Sequence, residues 1–222
     1  MAGSDAILVS GDWISEHFFT TDAKSQSFQA LVVARRKAWD EAKDTGTVHS
    51  RFVEARRWLL DQLSGLGAPA DETDLVPNAD DVLDEVYARL LDVLGYRGIG
   101  FKSERTGPVL RVSAPGMTER SPLAIVEAAA TGTVEGLLNK NAETLLVPFR
   151  PDDETELYSV SRTLSALFVD DDAPKYALVL AGRFLLVAEQ ARWAEGRYLA
   201  VDLQLVCERN EDRPGREMDR AL

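Results

Sequence analysis

Apolar positions along the 222-residue chain recur first at helical spacing and later at alternating or continuous spacing. A short extended piece, Ala6 to Val9, precedes a turn at Ser10-Gly11. Across residues 21–44, Phe28, Leu31, Val32, Val33 and Trp39 mark one face of a helix. Asp22 suits its N-cap, and Gly46 suits the left-handed position beyond its end. A second helix is predicted over residues 50–63, with Phe52, Ala55, Leu59, Leu60 and Leu63 on one side. The stretch "SGLGAPADETDLVPNAD" is rich in Gly, Pro and acid and reads as a linker. After it, Val82, Leu83, Val86, Leu90, Leu91 and Leu94 predict an amphipathic helix over residues 80–94, closed by Gly95.

The pattern then changes period. "GIGFKSE" and "GPVLRVSAP" read as strands between Gly and Pro breakers, and "PLAIVEA" as a buried central strand. A helix is predicted over residues 157–168, followed by "YALVLAG" and "RFLLVAEQ" as two strands meeting at Ala181-Gly182. "GRYLAVDLQLVCERN" starts as a strand and turns helical by Leu203. From residue 80 the order is helix, three strands, helix, two strands, which is an α/β core.

Composition narrows the function classes. Apolar residues are 45% and charged residues 28%, an ordinary globular mix. No apolar stretch approaches the ~20 residues that span a bilayer, and "MAGSDAILVSGDW" lacks the flanks of a signal peptide. These features, with Cys207 as the single cysteine, point to a cytoplasmic protein without an internal disulfide and without membrane partners. Cys207, His17 and His49 are too few for a structural zinc site. A net charge of -12 opposes free-standing nucleic-acid binding, yet suits a module attached to a larger, more basic chain. The local exception is a basic helical region with Arg35, Arg36, Lys37, Arg51, Arg56 and Arg57. It reads as a solvated face, or as a DNA-contacting one carried by Arg35, Arg36, Lys37, Arg56 and Arg57.

Candidate chemistry centres on Glu127, at the end of "PLAIVEA". Metal-dependent nucleases hold Mg²⁺ with carboxylates, and a lysine two residues after the Glu shares its strand face. Here that lysine position is Ala129, and the preceding strand, Val109 to Ser113, has no acid. A lone acid at a strand end either caps backbone groups near Thr131 or Gly132 or pairs with an arginine. The hydrolytic alternative uses Glu127 with Glu119 and a migrated lysine, Lys102 or Lys140, around Mg²⁺. Asp170, Asp171 and Asp172 read as a solvated turn, and Arg183 as an exposed turn residue. Trp13, His17, Phe18 and Phe19 read as an aromatic cluster that packs the N-terminal segment.

"GDWISEHFFTTDA", "PLAIVEA" and "YALVLAGRFLLVAEQARWAEGRYLAVDLQLVCER" together resemble the N-terminal region of type IIG-like adenine-specific DNA methyltransferases. Relatives of that class serve BREX- and DISARM-type phage defence. There, a PD-(D/E)xK nuclease or nuclease-like domain precedes helical, methyltransferase and target-recognition domains. Only Glu127 matches the nuclease motif, and no Asn-Pro-Pro-Tyr methylation motif occurs. The resemblance implies a non-catalytic fragment of a larger S-adenosylmethionine-dependent methyltransferase in restriction-modification or phage defence. It would act as a scaffold toward the rest of its chain, DNA or other defence proteins. The reading that needs no nucleic acid is an acidic protein-interaction module.

The expected organisation is α/β: an N-terminal segment with a helical hairpin over 1–68 and a linker over 69–79. A degenerate PD-(D/E)xK-like mixed sheet flanked by helices follows over 80–210. Residues 211–222 are expected to be a polar tail at a fragment boundary.

Overall fold

A computed structural model describes residues 6–14, 27–42, 46–66, 80–97, 100–116 and 121–222. The elements, in chain order, are strand β1 (Ile7–Ser10), helices α1 (Phe28–Glu41), α2 (Val48–Gly65) and α3 (Asp80–Leu94), and strands β2 (Lys102–Thr106), β3 (Val109–Ser113) and β4 (Leu123–Glu127). The one-turn α4 (Val134–Leu137) and helix α5 (Val160–Val169) lead to strands β5 (Tyr176–Ala181) and β6 (Phe184–Glu189). The short α6 (Gln190–Trp193), strand β7 (Tyr198–Asp202) and helices α7 (Leu203–Arg209) and α8 (Glu217–Ala221) complete the described chain. The protein is therefore α/β, with helices on both faces of one sheet.

The seven strands form a mixed sheet in the order β1-β7-β6-β5-β4-β3-β2. β4 and β5 are parallel, with Ile125 opposite Leu178 and Glu127 opposite Leu180. The other neighbours are antiparallel. A parallel pair needs a crossover, and the segment between β4 and β5 supplies it through α4 and α5. β4 and β5 sit mid-sheet because both faces of "LAIV" and "ALVLA" are apolar, whereas the edge strand β2, "KSERT", is exposed throughout.

Alternation divides the core in two. Leu110, Val112, Ile125, Leu178, Leu180, Leu185 and Val201 point to one face and pack against α2, α3 and α7. Phe52, Ala55, Leu59 and Leu63 of α2 and Leu83, Val86, Tyr87 and Leu90 of α3 fill that side. Val109, Ala124, Val126, Ala177, Val179, Leu186, Ala188 and Ala200 point the other way, toward α5. The alanines keep that face shallow, so the ten residues of α5 cover it closely with Val160, Leu164, Leu167 and Phe168. Each of those side chains contributes roughly 1.5–3 kcal/mol on full burial.

Three expectations are corrected. The segment before residue 68 is no separate unit. β1 hydrogen-bonds to β7, and the apolar stripe of α2 covers the same sheet face as α3. A boundary-like composition at 69–79, which lies outside the described residues, therefore separates no cores. Second, α1 buries only Val32 and Arg36, while Leu31 and Val33 are exposed at 51% and 41%. Its N-cap is Ser27, whose hydroxyl accepts from the Ala30 N–H; Asp22 lies outside the described residues. Third, residues 211–222 are no loose tail, because α8 buries Glu217, Met218 and Asp219.

Candidate functional site

The carboxyl ends of a parallel strand pair are where α/β sheets commonly place their chemistry. Here β4 ends in Glu127, and its neighbour β5 ends in Leu180-Ala181. Glu127 continues the ladder through its N–H, which donates to the Pro108 carbonyl at 2.9 Å. Its side chain is nearly buried. Arg105 of β2 stands opposite Leu110, and Leu110 stands opposite Ile125, so Arg105 shares a sheet face with Glu127. Arg105 meets the carboxylate in a two-pronged pair, Nη1 to Oε2 at 2.5 Å and Nη2 to Oε1 at 2.8 Å. Of the two roles expected for a lone strand-end acid, the arginine pair is the one that occurs. The bond to Glu127 raises the Arg105 guanidinium above its ordinary value against the effect of burial, and the charges of Glu127 and Asp84 add to it.

Beside this pair, Tyr87 of α3 reaches between the two parallel strands. Its hydroxyl donates to the Ala128 carbonyl at 2.5 Å and accepts the Gly182 N–H at 2.7 Å. Burial is the main force raising the phenol above its usual range; the Gly182 bond opposes it, and Glu127 and Asp84 reinforce it. The group is a neutral clasp. Gly182 turns with φ of 59°, and a Cβ there would meet the Cβ of Ala130 at 2.7 Å, so glycine is required on both counts.

Among the described residues, the other positions that a nuclease motif would use carry no matching groups. Ala129 is half-buried and its N–H donates to the Thr144 carbonyl at 2.9 Å. The start of the preceding strand, where the motif wants an Asp, is Val109, 2% exposed and opposite Val126. Lys102 lies at the far end of β2, opposite Ser113, and alternation turns it to the other sheet face from Arg105. Lys140 is exposed beside α5, where its carbonyl accepts Arg162 Nε at 2.9 Å. Neither lysine converges on Glu127, and Glu119 lies outside the described residues. Among the described residues no group of three or more His, Cys, Asp and Glu side chains is placed to hold a metal ion.

The basic helical region also changes character. Arg36 faces inward, donating from Nε to Asp40 at 3.0 Å and from Nη1 to Asp212 at 2.7 Å and Asp219 at 3.0 Å. His49 Nε2 lies 2.8 Å from the same Asp212 oxygen. Arg51 donates to the carbonyls of Val93 and Gly46, and Arg56 to that of Cys207. Arg35, Lys37 and Arg57 remain exposed, Lys37 with Glu41 at 3.8 Å. The expected phosphate-facing row is thus corrected for Arg36 and Arg56, whose guanidiniums bind the protein itself.

Other candidates settle into structural roles. Arg183, expected as an exposed turn residue, is partly buried and pairs with Asp202, which also caps α7 by accepting the Leu205 N–H at 3.0 Å. Asp170 pairs with Arg111 at 3.4 Å, and the Asp172 carbonyl accepts from Arg111 at 2.6 Å. Trp13 donates to Glu189 at 3.1 Å, while His17, Phe18 and Phe19 lie outside the described residues. Burial pushes the Cys207 thiol up to about 12, opposed by Arg56, so it is no nucleophile at neutral pH.

Sequence reasoning missed Arg105, Tyr87 and the pairing of Arg36 with Asp212 and Asp219. Arg105 carries one usable signal: an arginine on the inward alternation of an edge strand, one hairpin before an acid-ended strand. The chain matches no known family model, no curated protein and no solved structure.

Proposed function

We propose that this chain is a non-catalytic, nuclease-like domain that serves as a scaffold within a defence-linked adenine-specific DNA methyltransferase. The observation that carries the non-catalytic part is the Arg105–Glu127 pair: a guanidinium fills both oxygens of the one acid that matches the nuclease motif. Support for the nuclease-like part is the run from α3 through β2, β3, β4 and α5 to β5, with Glu127 closing the third of those strands. Support for the loss of hydrolysis is Val109 and Ala129 at the positions that want Asp and Lys. Methylation, and the S-adenosylmethionine it requires, would belong to other domains of such a protein. Contact with DNA would rest on Arg35, Lys37 and Arg57, the exposed cations of α1 and α2.

A cleavage assay on supercoiled and linear DNA with Mg²⁺ or Mn²⁺ tests the proposal. No cleavage above background is expected from the wild type. Metal-dependent cleavage that Glu127→Ala abolishes would overturn the scaffold reading and favour the nuclease alternative.

A further inference from the structure

The outward face of α5 is bare for a surface helix. Surface helices usually present charged and long polar residues to water; here Ser161, Arg162, Ser165, Ala166 and Val169 occupy that face, and Val169 is 84% exposed. The face opens onto a groove of about 650 Å³ whose opposite wall includes Pro151 and Leu157. Ser165 needs no water: its hydroxyl donates to the Ser161 carbonyl at 2.9 Å and accepts Trp193 Nε1 at 3.0 Å. The centre of the face is small, apolar or internally satisfied, so little opposes its removal from solvent.

The charges at its ends select an occupant. Arg162 and Lys140 stand at the N-terminal end of α5 without a carboxylate partner among the described residues. Asp170, the C-cap, and the exposed Asp171 stand at the other end. Arg111 holds Asp170 only at 3.4 Å. Cations at a helix N-terminus and anions at its C-terminus oppose the helix dipole, so this arrangement is unfavourable for α5 alone. It becomes favourable beside an antiparallel copy of itself. Residues 162 and 170 lie four positions either side of 166. A twofold axis at Ala166 therefore brings each Arg162 to the other copy's Asp170, about 6 Å from the axis along the helix. Ala166 and Ser165 at the crossing permit an interaxial distance of about 8 Å.

We propose that α5 and the groove beside it form a self-complementary, twofold interface between two copies of this chain. Such an isologous contact uses one patch twice, with the small residues at the crossing, Val169 entering the partner groove, and the charges pairing at both ends. The charge pairing makes the association salt-sensitive.

Sedimentation equilibrium on the chain over about 1 to 100 µM tests it, with salt at about 50 and about 500 mM. A monomer–dimer equilibrium is expected, weaker at the higher salt. Ala166→Arg, at a half-exposed position, raises Kd at least about tenfold by placing two cations at the axis. Arg162→Glu does the same, and adding Asp170→Arg to it, which restores opposite charges at that pair, recovers most of the loss. Thermal melts confirm that each variant is folded, and the exposed Arg162 pair stands if Ala166→Arg does not fold. A monomer at about 100 µM, or a dimer unchanged by Ala166→Arg and Arg162→Glu, overturns the proposal.

Discussion

Arg105 and Arg36 both meet acid groups, and they do so in opposite ways. At the end of β4 one carboxylate, Glu127, is held by one arginine whose side chain is 47% exposed. Between α1, α2 and the C-terminal segment, one arginine, Arg36, 10% exposed, is held by Asp40, Asp212 and Asp219. The first pair joins residues 22 apart; the second joins residues as far as 183 apart. Glu127 lies where sequence patterning suggests chemistry, whereas Arg36 lies on a helix face that patterning assigns to solvent. The difference shows that a charge's role follows from what surrounds it after folding. Glu127 has a partner that water shares, while Arg36 has displaced water with carboxylates.

Breaking each centre measures that difference. Removing one partner of a buried ion pair leaves an uncompensated charge, and Asp219 has no exposed side-chain surface. Arg36→Ala is therefore expected to destabilise the fold by about 3 kcal/mol, read as a drop in Tm of about 6–12 °C. Urea denaturation should also show α1 protections lost first in hydrogen exchange, because Val32 is the one apolar side chain it buries. Arg105→Ala is expected to destabilise by only about 1 kcal/mol, since removing the half-exposed guanidinium opens the one carboxylate it leaves, Glu127, to water. Equal effects from the two substitutions would remove the contrast.

A pH series sharpens it further. Burial works to raise the Asp212 carboxyl, yet the bonds from Arg36 and His49 outweigh it and hold the group below its ordinary range. A depressed folded value means that this contribution is complete above the unfolded value of about 4 and is lost as pH falls through the folded one. The urea midpoint of the wild type is therefore expected to fall more steeply than that of Asp212→Asn between about pH 5 and 3. Parallel curves would show that Asp212 gives the cluster nothing, and the half-exposed side chain makes this the smallest of the three effects.

Elements were legible where the period was clean. The helix over residues 80–94 and the turn at Gly182 between β5 and β6 fall where the pattern places them, because each side of those elements meets one environment. The helix before residue 44 was legible as a helix but not in its facing. Leu31 and Val33 suggested an inner stripe, but partners distant in sequence turn Arg36 inward instead. The last dozen residues were illegible for the same reason. "EDRPGREMDRAL" has no apolar period, and its burial depends on contacts that no local window contains. Gln29 Nε2 donates to the Gly215 carbonyl at 3.0 Å, and Glu217 joins Ala6 to Arg209. At the candidate site, Glu127 was visible and its isolation from Asp and Lys was readable from neighbouring strands. Its partner Arg105 and the clasp of Tyr87 were not, because strand register and helix packing bring them there.

The pairing of β1 with β7 has a consequence for synthesis. Ile7 leaves the ribosome long before its partner Val201, with 193 residues between them. At about 5–20 residues per second that interval is roughly 10–40 s. Until then the strand has no ladder to join, and Glu217, which accepts the Ala6 N–H at 3.2 Å, arrives later still. The earliest made of the seven sheet strands is thus among the last of them to be fastened, and a nascent chain waits with "ILVS" open to any other strand edge it meets.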